Sequence, residues 1–180
     1  MPTKVNLITL GCSKNLVDSE QLAGLLGNDY KISFDAEKGR FDIVIINTCG
    51  FIGDAKEESI DMILQYATLR KQKKIKLLLV FGCLVQRYAE DLSREIPEVD
   101  RFFGVNDYKE IAEYILQKNI VKNDCLRLLS TPSHYAYLKI SEGCDKFCSF
   151  CAIPYIRGRH VSEPMESIIA QAEALARKGV

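Results

Sequence analysis

Residues 42–50 read Asp42-Ile43-Val44-Ile45-Ile46-Asn47-Thr48-Cys49-Gly50, a β-branched run that stops at a small, polar turn. Branched side chains favour an extended backbone, and a short run without polar alternation suits a strand buried on both faces. From about Asp54 to Lys71 the pattern changes to helical spacing, with Ile60, Ile63, Leu64 and Ala67 along one face. Strand, turn and helix thus follow one another, the unit from which parallel sheets with right-handed crossovers are built.

The same unit recurs on either side. Val5–Leu10 is a short apolar run ending at Gly11-Cys12-Ser13-Lys14-Asn15. A helical pattern follows through Leu16, Val17, Leu22, Leu25 and Leu26 to the stop Gly27-Asn28. Ile32–Phe34 reads as a short strand. Ile75–Phe81 is a third buried-type strand, ending at Gly82-Cys83, with a helix from about Gln86 to Glu95 closed by Pro97. A weak strand at Arg101–Phe103 and a helix at about Lys109–Gln117 complete the series. Periodicity then fades, and Asn119, Lys122, Asn123, Asp124, Thr131 and Pro132 mark a linker. Tyr135–Ile140 is expected to begin a second domain as a strand, followed by a cysteine-rich loop, Ser141–Arg159, and a helix from Pro164 to Lys178. The division expected is 1–120, linker 121–134, and 135–180 as the start of a domain cut short, because one strand–loop–helix unit cannot bury its own apolar face.

Totals narrow the function classes. The 180 residues carry 24 basic and 24 acidic side chains, so no net field draws the chain toward nucleic acid or an acidic membrane surface. The apolar run after Met1-Pro2-Thr3-Lys4 is too short for a signal peptide or a membrane span, which leads to a cytoplasmic expectation with no membrane partner. Seven cysteines in such a compartment are poor candidates for disulfides and better ones for metal or redox chemistry.

Three of them, Cys144, Cys148 and Cys151, crowd one loop as C-x3-C-x2-C. Soft thiolates suit iron–sulfur clusters, and three ligands on a four-iron cubane leave one iron open for a chelating amine and carboxylate, such as those of S-adenosylmethionine. Structural zinc is the competing reading, but zinc wants a second ligand pair, and His160 is the only adjacent histidine. Phe150 precedes the last cysteine, where a cofactor ring could pack. Cys12, Cys49 and Cys83 are 37 and 34 residues apart, yet each follows the C-terminal end of an expected parallel strand, beside a glycine and before a helix. Ligands of open α/β sheets bind outside those strand ends, so the three thiols are expected to converge as a second cluster site. The bland alternative is that each is a small core hydrophobe. Cys125, in the linker, reads as a bystander.

With both triplets placed, the chain resembles the methylthiotransferases of the radical S-adenosylmethionine superfamily. The matching segments are Leu10–Asn15, Asn47-Thr48-Cys49, Gly82-Cys83 and Lys139–Asp145. The resemblance implies a flavodoxin-like N-terminal methylthiotransferase domain holding an auxiliary 4Fe–4S cluster on Cys12, Cys49 and Cys83. It implies next a TIM-like α/β barrel, truncated here, holding the radical cluster on Cys144, Cys148 and Cys151. Within the family, Gly11–Glu20 and Tyr135–Ile140 are similar to the branch that modifies an aspartate of ribosomal protein S twelve of the small subunit. The tRNA-modifying branch typically has glutamine and methionine where this chain has Ser13 and Lys14. On this resemblance a 5′-deoxyadenosyl radical takes hydrogen from the aspartate β-carbon, and sulfur carried on the auxiliary cluster, methylated by a second S-adenosylmethionine, is transferred there. A flavodoxin- or ferredoxin-type electron donor is implied as a partner. The rivals are tRNA adenosine methylthiolation, disfavoured by the neutral charge, and a cluster-binding fragment without catalysis. Glu163 departs from the family, which has a basic residue there.

Other residues stay open or plain. Arg70, Lys71, Lys73, Lys74 and Lys76 read as a solvated helix end, and His134 as a strand-edge residue. Lys14 and Asn15 are divided between substrate contact and chain turning; Asp145, Lys146 and Arg157, between cofactor contact and surface.

Overall fold

The computed structural model describes residues 2–120 and 125–180. Seven strands and six α-helices lie among them: β1 (Thr3–Thr9), α1 (Ser13–Leu26), β2 (Tyr30–Phe34), β3 (Ile43–Thr48), α2 (Gly53–Lys71), β4 (Leu77–Gly82), α3 (Cys83–Glu95), β5 (Arg101–Phe103), α4 (Tyr108–Leu116), β6 (Ser141–Glu142), α5 (Ile153–Arg157), β7 (Val161–Ser162) and α6 (Met165–Arg177). The first five strands form one parallel sheet in the order β2-β1-β3-β4-β5. That is the flavodoxin-like order, in which the chain reverses direction across the sheet between β1 and β3.

Both faces of the sheet are covered, which is why its strands are apolar without alternation. On one face Val5, Leu7, Ile43, Ile45, Leu79 and Phe81 pack against Leu22 and Leu26 of α1 and Ile111 of α4. On the other, Ile8, Val44, Ile46, Leu78 and Val80 pack against Ile63 and Ala67 of α2 and against α3. Every residue of β3 is buried. Through α4 the expected order of elements holds, with α3 beginning earlier than its spacing suggests, at Cys83 itself.

The strand expected at Tyr135–Ile140 does not form. A strand needs a partner edge, and Val161–Ser162 reaches this chain only at its end, where β6 and β7 pair antiparallel as Ser141↔Ser162 and Glu142↔Val161. The residues before β6 run along α1 instead: the Tyr137 carbonyl accepts from Arg127 Nη1 at 2.7 Å, and Lys139 reaches Asp18 at 2.6 Å. Of the expected linker, residues 121–124 lie outside the described residues; from Cys125 onward the chain is strapped to α1. Leu128 N–H donates to the Glu20 carbonyl, and the buried Glu20 carboxylate takes donors from Arg127, the Ser130 amide and the Ser130 hydroxyl. Gly24 makes room for this strap, since a Cβ there would lie 2.0 Å from the Leu126 carbonyl oxygen. No helix among the described residues is long and apolar enough to cross a membrane.

Candidate cysteine crevice and cysteine loop

Adjacent strands β1, β3 and β4 deliver Cys12, Cys49 and Cys83 to one edge of the sheet, at the switch point. Cys12 caps the N-terminus of α1 and Cys83 is the first residue of α3, so two of the three sulfurs sit where helix dipoles favour negative charge. Glycines allow the approach. Gly11 has φ of 94°, and a Cβ on it would lie 2.8 Å from Cys49 Cβ and 3.0 Å from its sulfur. Gly82 has φ of 106°, and its Cβ would meet Asn47 Oδ1 and the Thr48 carbonyl at 2.6 Å. Either substitution would push the strand ends apart.

Asn15 sits between two of the three thiols, Cys12 and Cys83. Its amide nitrogen donates to the Leu10 and Thr48 carbonyls (2.8 and 3.1 Å), the last carbonyls of the chain leaving β1 and β3. That fixes Oδ1 toward the thiols: Cys12 Sγ lies 3.8 Å and Cys83 Sγ 3.9 Å away. Asn47 completes the frame by donating to the Asn15 carbonyl at 2.8 Å and to Ser19 Oγ at 3.1 Å. Cys49 is anchored from the far side, its N–H donating to the buried Ser59 hydroxyl at 3.0 Å. The sulfurs grade from buried Cys83 through half-buried Cys49 to exposed Cys12, so the crevice opens to solvent. Burial pushes the Cys83 thiol up; Arg157 opposes the rise, and Cys12 and Cys49 add to it.

The second triplet lies in the loop between β6 and β7. Its neck is closed by the Cys144 amide donating to the Gly158 carbonyl at 3.1 Å, and Cys151 N–H bonds to the Cys148 carbonyl at 3.0 Å. Cys144 and Cys151 are half-buried and Cys148 is exposed. Phe150 is 88% exposed, and Phe147 meets Tyr155 edge-on at 5.9 Å between ring centres. A short helix, α5, follows Cys151, with Pro154 in its first turn, where the missing N–H costs nothing.

Among the described residues, no group of three His, Cys, Asp or Glu side chains is arranged to hold a single metal ion. A cluster takes each thiolate from a different iron, so its ligands stand farther apart than those of one ion. The donor chemistry (three thiols to each site, two at helix N-termini in the first) fits such a group at both places.

Of the residues open in the sequence, Asn15 is buried at the centre of the crevice, and Lys14 reaches the Ser141 carbonyl and Glu142 at 3.3 Å. Asp145 accepts from the His160 amide at 3.1 Å. Arg157 is not a surface residue: it is buried against α1, donating to Asn15 Oδ1, Glu142 and Asp18. Asp18, Glu20, Lys139 and Glu142 were not singled out by sequence. For Asp18 and Glu20 the one signal is the polar run Asp18-Ser19-Glu20-Gln21 inside α1, all four residues of which are buried.

The fold and these thiols define a doubly wound α/β protein with a cysteine-lined crevice at its switch point, joined to a second cysteine loop. The chain belongs to the family described as "Uncharacterized protein family UPF0004", whose model matches residues 4–104. It is 52% identical over 177 residues, 98% of this chain, to the "Ribosomal protein uS12 methylthiotransferase RimO" of Phocaeicola vulgatus. A protein of the same name from Cytophaga hutchinsonii is 52% identical over 180 residues, again 98% of this chain. The one from Acetivibrio thermocellus is 50% identical over 201 residues, covering all of this chain and 44% of its own length. The chain spans 41% of the length of the first two relatives.

Proposed function

We propose that this chain is the N-terminal part of a radical S-adenosylmethionine methylthiotransferase that acts on an aspartate of ribosomal protein uS12. The observation that carries the reading is the gathering of three cysteines at adjacent strand ends, Cys12 and Cys83 on Asn15 Oδ1 and Cys49 against Gly11, beside a separate C-x3-C-x2-C loop. Near-50% identity along the whole chain to proteins named for that activity supports the choice of substrate. Residues 1–120 form the auxiliary-cluster domain in this reading, 121–134 the linker, and 135–180 the start of the radical domain.

Cys12, Cys49 and Cys83 hold one 4Fe–4S cluster, and Cys144, Cys148 and Cys151 the other. When bound, the second cluster and S-adenosylmethionine supply the carbon radical needed to break a C–H bond that has no acidity to exploit. The chain's own residues hold and shield. Asn15, anchored to two strand carbonyls, aims its Oδ1 at the Cys12 and Cys83 sulfurs. Phe150, exposed beside Cys151, offers an aromatic face to the cofactor's adenine. Electrons come from a flavodoxin- or ferredoxin-type donor.

Mass spectrometry of uS12 and of tRNA from cells lacking the gene tests the reading. Loss of a methylthio group from a uS12 aspartate, with tRNA unchanged, is expected. Loss from tRNA alone would overturn the substrate assignment.

A further inference from the structure

The helix that follows the second cysteine triplet is also the part of that module pressed into the first crevice. Two adjacent residues of α5 do this. Ile156, 3% exposed, packs against Cys83 and Val105. Arg157 extends past it and donates from Nη2 to Asn15 Oδ1 at 2.6 Å, the same oxygen that Cys12 and Cys83 approach. Its Nη1 donates to Glu142 Oε2 at 2.8 Å, and both nitrogens lie 3.4 Å from Asp18 Oδ2.

Around it lie two carboxylates, Asp18 and Glu142, and a second buried cation, Lys139, bound to both at 2.6 and 3.0 Å. The four side chains are nearly enclosed, so their mutual attraction is weakly screened. The two carboxylates come from different places, Asp18 from α1 under the first crevice and Glu142 from β6 at the neck of the cysteine loop. Arg157 is therefore six residues from Cys151 in sequence and one hydrogen bond from the amide that organises Cys12 and Cys83. Of these two buried cations, only Arg157 donates to Asn15, whose Oδ1 faces the Cys12 and Cys83 sulfurs.

Resting on the two-cluster reading above, we propose that Arg157 is a positioning residue that ties the Cys144–Cys151 loop to the Cys12/Cys49/Cys83 crevice. It holds the two thiolate centres at a fixed separation and makes the first easier to reduce. The planar fork matters to both roles. A guanidinium bonds Asn15, Asp18 and Glu142 at once in fixed geometry, whereas an ammonium keeps the charge without the fork. A cation beside a thiolate-held cluster stabilises its more negative, reduced state.

The test is made on the anaerobically reconstituted chain. With Cys144, Cys148 and Cys151 all changed to Ala, iron is confined to the first crevice, and its potential is read by dithionite titration followed by electron paramagnetic resonance. Arg157→Gln is expected to disfavour one-electron reduction at least tenfold, about 59 mV toward negative values. Arg157→Lys is expected to stay within twofold. With all six ligand cysteines present and both centres reduced, the spin–spin coupling between the centres is expected to weaken in both variants. An Arg157→Gln potential within twofold of the parent, with unchanged coupling, overturns the proposal while leaving the clusters in place. If Arg157→Gln does not fold, unchanged coupling in Arg157→Lys overturns it equally. A parent crevice that takes up no iron overturns the cluster reading, and the proposal with it.

Discussion

Replacing Arg127 by Met should destabilise the chain far more than a surface-loop substitution ordinarily would. Arg127 and Glu20 are a buried pair, their side chains 2% and 0% exposed. Glu20 also accepts from the Ser130 amide at 2.8 Å and the Ser130 hydroxyl at 3.0 Å, while Arg127 Nη1 donates to the Tyr137 carbonyl. Removing the cation leaves a carboxylate in a desolvated pocket with two neutral donors, and breaking a buried pair from one side costs about 3–5 kcal/mol. In a domain of this size each kcal/mol lowers Tm by about 2–4 °C, so a fall of roughly 6–20 °C is expected. Glu20→Met should do comparable harm. The double variant Glu20→Met/Arg127→Met should lose clearly less than the sum, because no charge is then left unpaired. Thermal unfolding by circular dichroism gives the three values. Hydrogen exchange at Leu128 and Ser130, whose amides donate to Glu20, shows whether the strap loosens first. A Tm change below about 2 °C for Arg127→Met, or strict additivity in the double variant, would refute the claim that this pair fastens residues 127–130 to α1.

Gly24→Ala places a Cβ 2.0 Å from the Leu126 carbonyl oxygen, so it should lift the strap at a cost of about 1–3 kcal/mol and speed proteolysis after residue 124. Gly82→Ala combines a φ of 106° with two 2.6 Å clashes, and should cost more than about 1 kcal/mol while lowering iron uptake at the first crevice. Asp100 accepts both arms of Arg70 at 2.7 Å and the Leu78 amide at 2.8 Å; against the opposing effect of burial, these donors hold its carboxyl below the usual range. Its stabilising share is thus present above the unfolded-state pKa of about 4 and lost as pH falls through the lower folded value. Urea titrations should find Asp100→Asn less stable than the parent at pH 7 by about 1 kcal/mol, with the gap closing in acid.

The parallel sheet was legible because strands buried on both faces leave continuous apolar runs, and β1, β3 and β4 each do. The first cysteine trio was legible for a topological reason: parallel strands put their C-terminal ends on one edge, so cysteines after β1, β3 and β4 had to gather there. What stayed hidden depends on contacts far apart in the chain. Glu20 and Arg127 are 107 residues apart, and Asp18 and Arg157 are 139 apart. In sequence, Asp18 and Glu20 look like the solvated face of an amphipathic helix; only the returning segment 125–157 turns that face into an interior. The strand expected at Tyr135–Ile140 failed for the converse reason. Its residues favour extension, but its neighbours are the flank of α1 and a β7 that pairs two residues at β6. Arg157, one of three polar residues near the second triplet, could not be told from Asp145 and Lys146 without knowing where α5 points.

Iron stoichiometry tests the central claim most directly. After anaerobic reconstitution the chain should hold about eight irons, two cubanes' worth. Cys12→Ala should lower that to about half, and Cys144→Ala should do the same, with the remaining iron spectroscopically distinct in the two variants. A parent value near four, or iron content unmoved by Cys12→Ala, would contradict a second cluster at the ends of β1, β3 and β4.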